Sequence, residues 1–392
     1  MKRGLQGYHQ PQRVPGEPFA AFVPRPLPPD PPLDLSAVAI QLEEANRAVG
    51  RLDGVGMLLP DPSLVIYFYV RKEAVVSSQI EGTQSSLSDL LLFEEGRAAR
   101  APVADVRDVS NYVAALDHGL ERIRTSLPLS LRLIREVHAI LLRSGRGSAQ
   151  AAGEFRRSQN WIGGTRPGNA VFVPPPVEEM KQCLGEFERF LHLREMPPLL
   201  KAALAHVQFE TIHPFVDGNG RVGRLLITLI LGSEGALSVP LLYLSLFFKR
   251  QRATYYELLQ AVRMEGEWER WVAFFLEGVQ ETASEAVASV QTMLRLFESD
   301  RERITGLGRA ATGVLRVHQD LRRHPLTTAP ELSKRTGMAL PTVLRALAAL
   351  ERLEIAREVT GRRRDRVFAY SDYLGILGAG TEPIVGGGVG GS

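Results

Sequence analysis

The chain has 392 residues, 44% of them hydrophobic and 23% charged, enough for two or three domains with real cores and too apolar for a disordered or fibrous polymer. Its 36 glycines and 25 prolines crowd into the two ends instead of recurring at a fixed period, which excludes collagen-like and solenoid architectures. Net charge is only +3, but residues 316–370 hold 12 Lys/Arg against 6 Asp/Glu, so one C-terminal segment carries the basic excess. Leu225 to Leu231, broken only by Thr228, is typical of the longest apolar stretches and far short of the roughly 20 residues a membrane span needs. Two early basic residues with no apolar stretch behind them do not make a secretory signal. The single cysteine, Cys183, can build neither an intramolecular disulfide nor a cysteine zinc site. A cytoplasmic protein without membrane contact is the expectation.

Residues 1–34, ending in FVPRPLPPDPPLDL, read as a proline-rich arm that is extended and cannot join a helix. From Ser36 to about Leu52, and from about Ser63 to Ile80, apolar residues recur at three- and four-residue spacing, so residues 35–100 predict an N-terminal helical region. Helical patterns follow at about 103–125 and 130–143. Then comes a glycine-rich break in which WI and AVFV flank GGTRPGN, which predicts a β-hairpin set into a helical domain. Three further helical patterns, VEEMKQCLGEFERFLHL, PPLLKAALAHVQFETI and GRVGRLLITLILGSEG, and two more near 252–263 and 267–296 complete a mainly α domain over residues 101–296. Residues 297–373 change character: LTTAPELSKRTGM, LPTVLRALAALERLEI and AREVTGRRRDRVFAY predict helix, turn, helix and a short arginine-rich ribbon, an α+β module. The tail, residues 374–392, is expected not to pack.

HPFVDGNGRVGR, residues 213–224, is where chemistry concentrates. Pro214 disfavours helical geometry at His213, so a helix ends there. Gly218, Asn219 and Gly220 suit a tight loop, and a new helix starting near Gly220 leaves its first amides unpaired and its dipole positive, a site for an anion. Arg221 and Arg224, three apart on the first turn, reach one ligand, and guanidinium suits phosphate. Asp217 is a hard oxygen donor for a Mg²⁺ bridging phosphates, and His213 is near enough in sequence to serve as general base. No Gly-Lys dipeptide occurs, so no Walker-type phosphate loop competes. His206 and His213, seven apart, are a conceivable metal pair, but nothing completes a zinc motif, and His206 reads as structural. His118, His138 and His192 lie in helical patterns with no chemistry around them.

The segment resembles the Fic family signature HPFx[DE]GNGRxxR and matches it at every fixed position. The resemblance implies a Fic-type helical core with a β-hairpin flap that binds ATP with Mg²⁺ and transfers AMP to a Ser, Thr or Tyr hydroxyl of a target protein, or of itself, releasing pyrophosphate. On it, His213 deprotonates the hydroxyl and Phe215 anchors the loop. Asp217 holds Mg²⁺ on the α and β phosphates, while Gly218, Asn219, Gly220, Arg221, Val222, Gly223 and Arg224 form the phosphate site, with Arg224 on the γ-phosphate. SSQIEG, residues 77–82, matches the family's inhibitory motif [ST]xxxE[GN]. Ser77 and Glu81 fall one turn apart on a helix that Gly82 can end, so Glu81 would be presented to Arg224 and keep ATP from a productive pose. WIGGTRPGNAVFV resembles the family's flap, with Gly163 and Gly164 facing the nucleotide and the target paired by β-augmentation. RATYYELL resembles the adenine-side helix, offering Tyr255 and Tyr256, although adjacent helix positions point apart and one alone is expected at the base.

Residues 316–370 resemble a winged helix, with Thr342 and Arg345 as polar residues near the start of the recognition helix and Arg362, Arg363, Arg364 and Arg366 at the wing tip. DNA contact is one reading of these arginines, protein docking or a merely solvated face the other. The family resemblance also permits a homodimer. Two alternatives to AMP transfer stand: AMP removal on the same fold, and a DNA-binding regulator whose Fic core senses a nucleotide.

Overall fold

A computed structural model describes residues 3–14, 17–59, 61–98, 100–125, 127–144, 151–362 and 364–383. Its first element gives the proline-rich arm an order the sequence did not suggest. Strands β1 (Gly7–Val14) and β2 (Glu17–Pro24) form an antiparallel hairpin, with Gly7 opposite Pro24 and Pro11 opposite Ala20. Among the described residues β1 pairs on one side only, which is where a strand tolerates proline. The hairpin is fastened to the body by an Arg3–Glu269 ion pair of 2.5 Å and by the amides of Gly4 and Gln6, which donate to the carbonyls of Glu265 and Arg263. Its apolar run buries Ala21, Phe22 and Val23, burial that the flanking prolines mask in the sequence.

Helices α1 (Ala39–Met57), α2 (Pro62–Ile80), α3 (Leu87–Glu94), α4 (Val103–Arg124) and α5 (Leu131–Leu141) follow. Asp61 caps α2 by accepting from the Leu64 amide, with Pro62 at the first helical position. From Glu73 to Ile80 every residue of α2 is buried, the mark of a helix inside the core and not on it. The same holds for α7 (Pro198–Ile212), which comes after α6 (Val177–Leu191) and is buried throughout from Leu199 to Ile212. Helix α8 (Asn219–Ser233) packs along α7, so the six residues joining them are held between two core helices. Between α5 and α6 the expected flap hairpin is reduced to one antiparallel bridge, Ile162 with Phe172, closed by a 3-10 turn at Pro167–Asn169.

Beyond α9 (Ser245–Arg250) and α10 (Arg252–Glu265) runs α11 (Trp268–Thr305), 38 residues and so about 57 Å long. It packs on α1 and, near its end, on α12 (Ala311–Arg323), tying the core to the C-terminal module. That module continues with β3 (Leu326–Thr328), α13 (Ala329–Thr336), α14 (Leu340–Arg352), β4 (Arg357–Glu358) and β5 (Val367–Ala369), the strands ordered β3–β5–β4 and antiparallel. Thr328 caps α13 through the Glu331 amide, and Gly337 ends it in the left-handed region.

The tail departs from the expectation that residues 374–392 do not pack. Helix α15 (Ser371–Gly378) buries Tyr373 and Leu377, with the Tyr373 ring edge-on to Phe68 of α2 and to Phe297 of α11. The chain then passes behind the end of α2. Gln79 Nε2 donates to the Thr381 carbonyl at 2.8 Å, and Lys249 Nζ donates to Gln79 Oε1 and to the carbonyls of Gly380 and Glu382. Residues 384–392 lie outside the described residues. The architecture is mainly α with small sheets, and no helix among the described residues is long and apolar enough to cross a membrane.

Candidate active site

The α7–α8 connection is built by its own side chains. His213 closes α7 in the left-handed region at φ 49°, a conformation that costs a non-glycine residue on the order of 1 kcal/mol. Phe215 is fully buried, its ring stacked at 3.6 Å on His138 and flanked by Phe155 and Phe209. Asn219 spans the loop: its Oδ1 accepts from the Phe215 amide and its Nδ2 donates to the Phe215 carbonyl, both at 2.9 Å. His138 holds the far side, Nδ1 accepting from the Gly153 amide and Nε2 donating to the Asp217 carbonyl at 3.0 Å, which fixes its tautomer. Burial pushes His138 down to about 4, so it stays neutral. Asn219→Ala strands the buried Phe215 amide, while the Phe215 carbonyl keeps its bond from Asn160 Nδ2, and is expected to cost about 1–3 kcal/mol, read as a lower urea midpoint.

Gly218, at φ 81°, serves as the N-cap of α8, a backbone geometry that glycine adopts freely. The first amides of α8 face the loop. Arg221 is almost wholly buried, its Nε without a hydrogen-bond partner among the described residues and its Nη2 3.7 Å from Asp217 Oδ2. The other Asp217 oxygen accepts from the Gly218 amide at 2.6 Å.

At this helix start the end of α2 meets α8. Arg224 donates from Nη2 to Glu81 Oε1 at 2.6 Å and to the Ser77 carbonyl at 3.0 Å, and from Nε to Ser77 Oγ at 2.9 Å. Burial acts against both charges, but Arg224, followed by the weaker field of Arg221, holds the Glu81 carboxyl below its usual range, and Glu81 in turn raises Arg224. The Glu81 side chain is 38% exposed, so solvent screens part of this pair. A β-carbon on Gly220 would collide with Glu81 Oε1, so glycine is what lets the carboxylate reach the start of α8. Gly82, at φ 95°, releases the chain just after Glu81.

His213 itself is half-buried. Its Nδ1 is enclosed with no hydrogen-bond partner among the described residues, which leaves Nε2 as the outward nitrogen. Burial, then the positive fields of Arg263 and Arg156, push the imidazole down to about 3. It is therefore neutral at physiological pH and able to accept a proton. Arg263 stacks over Phe172 of the flap, 4.0 Å from the ring centre, and donates to Thr211 Oγ1 and the Glu210 carbonyl.

Several residues expected at the nucleotide are placed differently. The Val222 amide already donates to the Gly218 carbonyl and its side chain is in the core, while Gly223 is the close contact that admits the buried Glu210 carboxyl, so both belong to the α7–α8 packing. The Asn219 side chain is likewise spent on the loop. Gly163 and Gly164 sit at φ 69° and 74° with β-carbon space closed by Val171 and Asn169, which makes them turn formers of the flap. Tyr255 is buried, its hydroxyl bonded to His206 Nε2 at 2.8 Å while His206 Nδ1 meets the Gly223 carbonyl, so it supports α8 from below. Tyr256 is the exposed ring of the pair, at 43%. Among the described residues no group of three or more His, Cys, Asp or Glu could hold a metal, and the Asp217 carboxylate offers a single donor.

Sequence reasoning passed over His138, Arg156, Glu210 and Arg263. Each reaches the site across a long sequence separation or from beneath it, and Glu210, pushed up to about 7 by burial, carries no local signal. In the C-terminal module Arg362, Arg364 and Arg366 are exposed, Arg366 lies 3.7 Å from Glu351, and Arg345 donates to Thr342. Arg363 lies outside the described residues. The outward face of α14 carries Leu340 and Leu344, both more than two-fifths exposed.

Residues 39–121 match the N-terminal model of the Fic/DOC family and residues 128–231 match the Fic/DOC family model. The protein adenylyltransferase Fic of Drosophila ananassae is 33% identical over 212 residues, 52% of this chain and 39% of its own length. That of Drosophila virilis is 30% identical over 252 residues, 62% and 47% of the two chains. The chain thus spans less than half the length of these curated relatives. In fold it is similar to a Fic family protein from Desulfovibrio desulfuricans G20, with TM-score 0.57, 20% identity, and coverage of 88% of this chain and 97% of that one. A Fic domain containing signaling protein from Bacteroides thetaiotaomicron superposes with TM-score 0.53 at 19% identity, over 63% of this chain and 95% of its own.

Proposed function

Since this chain belongs to the Fic/DOC family, we propose that it transfers AMP from ATP to a hydroxyl side chain of a target protein and that its own α2 holds this activity in check. One observation carries the reading. Arg224, eleven positions along from a neutral His213 and the residue that would receive the γ-phosphate, is instead bonded to Glu81.

In the reaction a target hydroxyl oxygen attacks the α-phosphorus of ATP, its proton passes to His213 Nε2, and the bond to the β-phosphate oxygen breaks to release pyrophosphate. The free amides of α8 and the unpartnered Nε of Arg221 would receive charge developing on the phosphates. Asp217 is the carboxylate that would hold a Mg²⁺, which when bound would neutralise charge developing on the phosphates. Tyr256 is the ring left for adenine, and the flap would pair with an extended target segment. AMP removal is a second reading, favoured by the partial exposure of Glu81, which could position a water near His213. We read the C-terminal module as a winged helix. The leucines on α14 favour a protein contact there, and any DNA contact would rest on phosphates met by Arg362, Arg364 and Arg366.

Incubation with ATP labelled at the α or the γ position tests the reaction. Label from the α position alone is the expected result; label from the γ position would mean a kinase and sink the proposal. The clamp behind α2 supports the restraint. Lys249→Ala, which frees Gln79 Oε1 and the carbonyls of Gly380 and Glu382 but leaves Gln79 Nε2 on Thr381, is expected to raise α-label incorporation by less than Glu81→Gly does.

A further inference from the structure

We propose that Arg156 is a positioning residue for His213, one guanidinium that fixes the base's backbone and ties it to both ends of the flap. This rests on the reading of His213 as proton acceptor. Arg156 is buried to 2% exposure, and its contacts are all carbonyls. Its Nε donates to the His213 carbonyl at 3.0 Å, its Nη1 to Ser158 where the flap begins, and its Nη2 to Pro175 where the flap ends. Its own amide donates to the Pro214 carbonyl at 2.9 Å. Four bonds from one residue thus converge on the left-handed turn at His213 and on the base of the flap.

Among the described residues no carboxylate acts on this guanidinium, whose side-chain bonds all go to carbonyls. A buried charge is normally neutralised by a partner, and an isolated one is costly to keep. The Arg156 fork serves three separate carbonyls, more than the two N–H donors of a glutamine amide could reach, and its charge has a second effect, on His213. The groups acting on that imidazole come from each element packed on it: Arg156 at the flap base, Arg263 on α10, Glu81 at the end of α2 and the Glu210 carbonyl on α7. The two guanidiniums disfavour the imidazolium, Glu81 and the carbonyl favour it, and with burial the balance lies on the neutral side. Arg156 therefore acts twice, by geometry through its fork and by charge through its field.

The test uses Arg156→Gln, which removes the charge together with the fork, and Arg156→Lys, which keeps the charge and loses the fork, each in the full chain carrying Glu81→Gly. His213 is followed by NMR titration of carbon-13-labelled histidine, assigned against His213→Ala, and transfer is measured as kcat and KM for ATP across pH. In Arg156→Gln, His213 is expected to titrate closer to an ordinary histidine, and kcat should fall on the order of tenfold to a hundredfold with a steeper loss on the acid side. KM for ATP should stay within about twofold, because Arg156 makes no contact with the phosphate site. In Arg156→Lys the titration should stay low while kcat still falls. An unmoved His213 titration in Arg156→Gln, or an unchanged kcat in Arg156→Lys, overturns the proposal. If the glutamine variant fails to fold, the lysine variant alone decides, through kcat at unchanged KM. The titration also separates this proposal from the proposed function, since it reads out even where no AMP is transferred.

Discussion

Glu81→Gly is expected to raise the initial rate of α-label incorporation by on the order of tenfold to a hundredfold over the unmodified chain. The reason is competition for one guanidinium. Glu81 takes Arg224 in a 2.6 Å charge-assisted bond backed by two bonds from Arg224 to Ser77, and a hydrogen bond to a charged group contributes about 1.5–3 kcal/mol. Partial exposure of Glu81 places the effect at the lower end. Each 1.4 kcal/mol of released restraint is about tenfold in rate. Glycine also removes the carboxylate that lies over Gly220, at the helix start where phosphate charge would sit. The sign with pH follows from the direction of the shift. A carboxyl held below its usual range keeps its contact above that range and loses it only as pH falls through the lowered value. The ratio of variant to unmodified rate should therefore be flat between about pH 6 and about pH 8. A ratio of one at every pH would mean that Glu81 restrains nothing.

His213→Ala is expected to lower transfer by about 10²–10⁴-fold, the usual contribution of a positioned general base. The loss should fall on kcat. His213 makes none of the contacts that build the start of α8, where Asn219, Phe215 and His138 hold the loop, so ATP binding by calorimetry should change little. Combined with Glu81→Gly, the histidine variant should remain inactive, because releasing Arg224 restores phosphate binding and not proton transfer. An active double variant would remove His213 from the reaction.

What the sequence discloses depends on how local each interaction is. The loop from His213 to Arg224 is legible because helix end, turn and helix start are all local events, written in near neighbours such as Pro214, Gly218 and Gly220. The facing of Ser77 and Glu81 toward one partner follows from helical spacing, and its identity, Arg224, from the resemblance. Illegible were contacts made across the fold. His138 lies 79 residues from the loop carbonyl it holds, Arg156 is 57 residues from His213, and Gln79 meets Thr381 over 302. The proline-rich start looked like a linker because proline dominates its local preferences, yet Phe22 and Val23 are buried against the body all the same. Tyr255 and Tyr256 were separable in principle, as adjacent helix positions point apart, but which one faces inward was settled only by His206 beneath them.

That Glu81 acts through Arg224 is tested most directly by a double-variant cycle of the two on the rate of α-label incorporation. Glu81→Gly should activate only where Arg224 is present, and the pair Glu81→Gly with Arg224→Ala should fall to the level of Arg224→Ala alone. If the double variant labels as fast as Glu81→Gly, Arg224 is not the group that Glu81 withholds, and the proposed restraint is wrong.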